Sequence, residues 1–254
     1  MTESHRSLAD LQILIVRALR LSLRNVDGLI TALILPPMLM FMFVYFFGGA
    51  IHTGGRYIDF VVPGVLLVCV GFGAGTTAVS VSQDLSGAIV DRLRSMNVRG
   101  ESLIAGHVVA SVARNLVSAA LAVTFAFVIG YRSHGNAADW LTAVALLTLF
   151  VLAISWFAAA IGILVRSPEA AQGITFIVSF LPYPSSAFVP VSTMPSWLRP
   201  FAANQPVSQV VDAIRALLAG ASPGAAAWHS IAWSAGILVV SVGLAGALFS
   251  RRAG

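Results

Sequence analysis

The chain has 254 residues, 58% of them hydrophobic and 10% charged, with a formal net charge of +5 and a mean hydropathy of +0.89. Soluble domains carry charge on roughly a quarter of their residues, so this composition excludes a soluble enzyme or a nucleic-acid-binding module and describes a polytopic membrane protein. All fifteen basic residues are arginine; without lysine there is no phosphate-loop motif, so any ATP that drives this chain is bound by another subunit.

Residues 1–28 read as a cytosolic interfacial helix, with Leu8, Leu11, Ile15, Ala18 and Ser22 on one helical stripe and Arg17, Arg20 and Arg24 on another. Anionic lipid, a protein partner, or both would hold it at the inner leaflet. No small-residue cleavage site precedes the first apolar run, so that run is expected to act as an uncleaved anchor. It extends from Leu29 to Gly48, about 20 residues and about 30 Å of helix, enough to cross the hydrocarbon core. Pro36 and Pro37 are expected to kink it, and Tyr45, Phe46 and Phe47 supply an aromatic belt. The second span runs from Phe60 to Gln83; its Gly71 and Gly75 form a GxxxG spacing, read as close packing within the bundle in preference to a dimer interface. Cys69, the single cysteine, lies in this apolar run and reads as a small buried residue.

Asp84 to Gly100 is the long polar break in the chain. Leu85, Ala88, Ile89, Leu93 and Met96 share one helical face, opposite Asp84, Asp91, Arg94 and Asn97. Such a helix can lie on the lipid surface, or it can be the part another protein grips to move the membrane segments. The third apolar run, Leu103 to Gly130, exceeds a bilayer and carries Arg114 near its middle; the expectation is that the helix starts in the cytosol, with Arg114 snorkelling at the inner interface. A fourth span follows from Trp140 to Val165. The fifth apolar run has only about 14 to 18 residues before Pro182 and Pro184, near the lower limit of roughly 17 for a span. Phe188 to Gly220 is proline-rich and ends in an amphipathic helix, with Val207, Val210, Val211, Ile214, Leu217 and Leu218 opposite Asp212 and Arg215. It is expected to form an extracellular re-entrant or interfacial hairpin, protected by surrounding protein. Trp228 to Ser250 is the sixth span.

The fold class is therefore all-α, a single unit over residues 1–254 with six transmembrane helices. Ten arginines (Arg6, Arg17, Arg20, Arg24, Arg92, Arg94, Arg99, Arg166, Arg251 and Arg252) fall on one side, against Arg56, Arg132, Arg199 and Arg215 on the other. The positive-inside rule puts both termini and residues 84–100 in the cytosol.

The strings LILPPMLMFMFVYFFGGAI (33–51), YIDFVVPGVLLVCVGFGAG (57–75), DLSGAIVDRLRSMNVRGESLIAGHV (84–108), LVRSPEAAQG (164–173) and SSAFVPVSTMPSWLRPFAANQPVSQVVDAIRALLAG (185–220) together resemble the permease subunits of type-2 ABC exporters of the daunorubicin-resistance type. The resemblance implies a subunit of a bacterial cytoplasmic membrane exporter that pairs with a second permease, identical or homologous, and with two cytosolic ATPase subunits that bind ATP and Mg. It implies that the helix after the second span docks in a groove of the ATPase, and that Phe188 to Gly220 closes an outer gate through Phe188, Pro190, Pro195, Trp197, Asn204 and Pro206. The short segment before the first span departs from the fused eukaryotic half-transporters.

Catalytic chemistry is not expected: His5, His52, His107, His134 and His229 are scattered away from metal-ligand spacing, and neither HExxH nor GxSxG occurs. No metal and no cofactor of the chain's own is expected. With Arg114 placed at the interface, the span cores hold no ionisable group for ion-gradient coupling, although Asp84 leaves that route open. Coupling to the ATPase is assigned to Asp84, Ile89, Asp91, Arg92, Leu93, Arg94 and Met96, with apolar members packing into the partner and charged ones setting register. Phe72, Thr76, Phe176 and Phe180 are candidates for a substrate path, whose apolar character suits a lipophilic drug, antibiotic or lipid. Two alternatives stay open: an exporter of a lipid-linked glycan, and a non-transporting membrane anchor or assembly factor.

Overall fold

The computed structural model describes residues 16–18, 20, 26–86, 100–165 and 167–253. Every regular element among the described residues is helical. The helices are α1 (Val26–Phe41), continuing as one π-helical stretch Met42–Phe47, then α2 (Tyr57–Ser86), α3 (Gly100–Val128), α4 (Ala137–Leu164), α5 (Pro168–Ser179), α6 (Arg199–Asn204), α7 (Pro206–Leu218) and α8 (Gly224–Ala253), with a 3₁₀ turn at Val191–Thr193. Among the described residues four helices are long and apolar enough to cross a membrane: Tyr57–Ser86, Ser102–Val128, Ala137–Leu164 and Gly224–Ser250. These correspond to the expected second, third, fourth and sixth spans.

The segment expected to form the first span is composite, because Pro36 and Pro37 sit inside α1 and the helix widens to π geometry over Met42–Phe47. The fifth is shorter than its apolar run. α5 has 12 residues, about 18 Å, and stops at Ser179 ahead of Pro182, where the residue before a proline is pushed out of the helical region. An irregular connector leads from there to the hairpin.

α2 is the central post and packs against α1, α3, α4, α5 and α7. Val61, Val62, Val65, Val68 and Ala78 are wholly buried, which explains why its apolar residues show no one-sided pattern. Its glycines are contact points. A Cβ on Gly71 would lie 3.1 Å from the Cα of Ser179, and one on Gly75 would lie 3.4 Å from Thr175 Oγ1. The GxxxG pair therefore seats α5 within the chain, as expected from sequence. Gly73 turns the other way, and Asn115 of α3 occupies the space its side chain would fill.

Gly64 is the contact point of α2 next to the hairpin, since a Cβ there would be 2.6 Å from the carbonyl oxygen of Ala187. A Gly64→Val variant is expected to lose stability by at least the roughly 1–3 kcal/mol typical of overpacking. A drop in melting temperature in detergent, read by fluorescence-detected gel filtration, checks this.

The hairpin helix α7 buries Val207, Val210, Val211, Ile214, Leu217 and Leu218, the face read from sequence. Pro206 opens it at a position where no N–H is needed. It ends in a Schellman motif: Gly220 at φ +72° donates to Leu217 O, and Ala221 N–H donates to Ala216 O. The Leu218 carbonyl is taken by the backbone N–H groups of His134 and Gly135 and by Ser133 Oγ. The turn between α3 and α4 thus caps α7 and fixes the hairpin at that end of the bundle. α8 is peripheral, packing on α4 and α7 and leaving Val239, Val240, Val242 and Leu244 exposed.

Candidate functional site

The first polar feature is at the end of α2. Asp84 accepts from both Arg17 terminal nitrogens, at 3.0 and 3.3 Å, and its Oδ2 is 2.9 Å from His107 Nε2 of α3. Its carboxylate is shielded, with 12% of the side chain exposed against 8% for His107 and 32% for Arg17. One carboxylate joins the N-terminal segment, the foot of α2 and the first turns of α3. Of the residues assigned to ATPase coupling, Asp84 alone falls among the described residues; Ile89, Asp91, Arg92, Leu93, Arg94 and Met96 lie outside them.

A second polar feature runs through the middle of the bundle. Thr77 Oγ1 of α2 is 2.7 Å from Ser111 Oγ of α3, which is 2.9 Å from Ser155 Oγ of α4. Arg114 Nη2 donates to Thr77 Oγ1 at 3.0 Å and to Gly73 O at 3.3 Å, and Asn115 Nδ2 donates to Ser111 O at 2.9 Å. Arg114 is the fifteenth residue of the 29 in α3, about 21 Å from either helix end. Its guanidinium is held by α2, which differs from the snorkelling side chain expected from sequence. The glycine at 73 leaves its carbonyl open from the side, so the guanidinium has an acceptor at mid-helix depth and does not need the headgroups. The middle of α3 therefore carries an ionisable group bonded to its neighbouring helix.

At the opposite end, Arg215 fastens the hairpin. Its Nη1 bonds Asp212 Oδ1 at 2.6 Å, Nη2 donates to Ser186 O at 2.6 Å and Nε donates to Phe60 O at 3.1 Å. The guanidinium also stacks over the Phe60 ring at 3.8 Å. Ser186 Oγ donates to Asp212 Oδ1 at 2.8 Å, and Tyr57 O–H donates to Phe188 O at 2.9 Å. Only a planar fork serves a carboxylate and two carbonyls at once. Arg215→Lys is accordingly expected to open the connector over residues 180–206 to proteolysis almost as much as Arg215→Ala does, measured by mass spectrometry of the first cleavage sites. Protection equal to the parent chain in both variants would show that Arg215 fastens nothing.

The residues expected at the gate divide between these contacts and solvent. Phe188 is buried and stacks on Phe43 at 4.0 Å. Pro206 begins α7, and Pro190 and Pro195 accept turn hydrogen bonds. Trp197 is 77% exposed at the tip, and Asn204 bonds Pro200 O at 2.8 Å.

The four path candidates flank one seam. Gly71 and Gly75, each one residue before Phe72 and Thr76, face Ser179 and Thr175, each one residue before Phe180 and Phe176. Phe72 packs on the core, whereas Phe176 and Phe180 are half exposed in edge contact at 5.0 Å. Thr76 Oγ1 is spent on Gly73 O at 2.8 Å. Sequence reasoning missed how this aromatic pair continues: Phe180 meets Tyr183, Tyr183 meets Phe188 and Phe188 meets Phe43, at 5.4, 5.4 and 4.0 Å. Spacing alone gives no sign of it, because the connector has no helical period.

Among the described residues no three His, Cys, Asp or Glu side chains cluster in a way that could hold a metal. The described residues thus form a multi-helix body with charged nodes at both ends and a polar column between them.

Comparison with known proteins identifies its family. Residues 9–219 match the family model of the ABC-2 type transporter. The chain is 30% identical over 219 residues to the daunorubicin resistance ABC transporter permease protein DrrB1 of Streptomyces coeruleorubidus, covering 85% of this chain and 75% of that one. It is 24% identical over 221 residues to the probable doxorubicin resistance ABC transporter permease protein DrrC of Mycobacterium tuberculosis, covering 85% and 79%. The chain belongs to the ABC-2 type transporter family and is a membrane permease subunit.

Proposed function

We propose that this permease moves a lipophilic or amphipathic compound, a drug, antibiotic or lipid, out of the cytosol or the inner leaflet, driven by a separate ATPase that binds ATP and Mg. The reading includes two ATPase copies, a second permease, and a bacterial cytoplasmic membrane with both termini and the Asp84 node on the cytosolic side. The observation that carries it is the placement of the Asp84 node. It gathers three elements immediately before residues 87–99, at the end of the bundle opposite the hairpin. A pull on that segment reaches α2 and α3 together, and α2 is the helix the hairpin is fastened to through Phe60 O. The drug-resistance permeases to which the chain is similar support the export direction and an amphipathic cargo. The half-exposed Phe176 and Phe180 beside the α2–α5 seam suit such a cargo.

Testing it requires the chain co-purified with its ATPase and reconstituted in vesicles. ATP-dependent movement of an anthracycline or a fluorescent phospholipid should appear, and should vanish when the ATPase is inactivated. Vesicles that move neither compound, although the complex hydrolyses ATP, would rule out export of this cargo class.

A further inference from the structure

A cavity of about 580 Å³ opens between helices beside the α2–α5 seam, with which it shares Gly71, and is lined by parts of α2, α4, α5, α7 and α8. We infer that it is a binding site for one acyl chain of a bilayer lipid, entering sideways from the hydrocarbon between α5 and α8. Three observations carry this.

The lining is apolar almost throughout: Gly71 of α2, Phe157 of α4, Leu181 after α5, and Trp233, Gly236 and Val240 of α8 are typical of it. A cavity so lined holds no ordered water, since water needs two to four polar partners. Its size is about four times the roughly 150 Å³ that admits a benzene molecule, and it lies within the roughly 300–1,000 Å³ range of ligand sites.

The shape is that of a slot. On α8 the lining residues Trp233, Gly236, Ile237, Val240 and Ser241 stand at i, i+3, i+4, i+7 and i+8, one face followed for about 12 Å along the helix axis. An elongated slot of this kind takes a chain more readily than a broad fused-ring body.

The mouth faces lipid. α5 and α8 both line the cavity, yet they make no packing contact with each other among the described residues. At that opening Trp233 is 46% and Val240 60% exposed, and a Cβ on Gly236 would touch nothing within 4 Å. α4 and α8 are long enough to cross the membrane, so the fluid at this depth is acyl chain. A dry apolar slot open to acyl chains fills with one.

This inference goes beyond the export reading and does not depend on it. The test uses the full permease with its ATPase in vesicles that contain a phospholipid with a diazirine on one acyl chain. After illumination, labelled peptides are mapped. Label is expected at Phe157, Leu181 and the slot face of α8 above the level at Val239, Val242 and Leu244, which face ordinary lipid. Gly236→Phe should plug the mouth and reduce slot label at least about tenfold, the ratio that 1.4 kcal/mol of lost binding gives. Gly243→Phe lies two turns along α8, outside the lining and equally unhindered, and should leave slot label intact. It controls for damage to α8. Even labelling of slot and outer face overturns the inference, as does slot label insensitive to Gly236→Phe. Displacement of the label by an anthracycline but not by excess unlabelled phospholipid would make the occupant the cargo, and crosslinks from Trp233 to another copy of the chain would make it a partner helix. Both results also overturn it. Failure of ATP-dependent export would leave every one of these labelling results unchanged.

Discussion

An Asp84→Ala variant is expected to insert and assemble normally, to keep the partner ATPase turning over, and to lose at least about tenfold in ATP-driven export, the loss set by about 1.4 kcal/mol. Removing one side of a buried ion pair costs about 3–5 kcal/mol because the other charge is stranded. Arg17 is 32% exposed, so water recovers part of that loss, and about 1–3 kcal/mol remains for the contact. Spread over a two-position element, 1.4 kcal/mol shifts the populations tenfold. The loss falls on coupling because Asp84 ends the helix from which the hairpin hangs and also ties in Arg17 and His107. A double-mutant cycle sharpens the test: Arg17→Ala and Asp84→Ala should be clearly non-additive, since the second substitution removes a contact already gone. Export at the parent rate in Asp84→Ala, with ATPase intact, would remove the node from the coupling path.

Helical spacing made some of this legible in advance. The buried face of α7 was readable because six apolar residues stand at i, i+3, i+4, i+7, i+10 and i+11 in a 13-residue helix. The GxxxG of α2 was readable as packing, though which helix it met was not: Thr175 and Ser179 lie about a hundred residues away and carry no matching sign. The partners of Asp84 are equally silent in sequence, since Arg17 is 67 positions earlier and an amphipathic stripe does not say what its charges reach. Arg114 was read as a snorkelling side chain for a physical reason. Hydropathy assigns an arginine the cost of hydrocarbon and sends it to the nearest interface, but a glycine on the neighbouring helix supplies a carbonyl that removes the need to travel. The short α5 was largely legible, because Pro182 and Pro184 already bounded its apolar run, and the helix stops at Ser179 just ahead of them.

Replacing Arg114 by methionine is expected to separate stability from transport. An arginine at the centre of a membrane helix costs about 2.5–3.5 kcal/mol on insertion, and exchanging buried ionic groups for well-packed apolar ones is often neutral or stabilising. Arg114→Met should therefore keep its melting temperature or raise it by a few degrees. Export should nevertheless fall at least about tenfold, which requires only 1.36 kcal/mol at the transition state. The guanidinium is the one group that bonds both the Gly73 carbonyl and Thr77, and Thr77 continues through Ser111 to Ser155. Without it, α3 keeps its apolar packing on α2 and the Thr77–Ser111 bond but loses the longest-reaching polar contact between them. Gly73→Val approaches the same contact from the other side, since its side chain would occupy the space now held by Asn115; it should lose export and stability together. A methionine variant that exports normally would show that the polar column only holds helices together. One that loses stability and export in proportion would show the same, because a group needed for the motion and not for the fold must affect the first and spare the second.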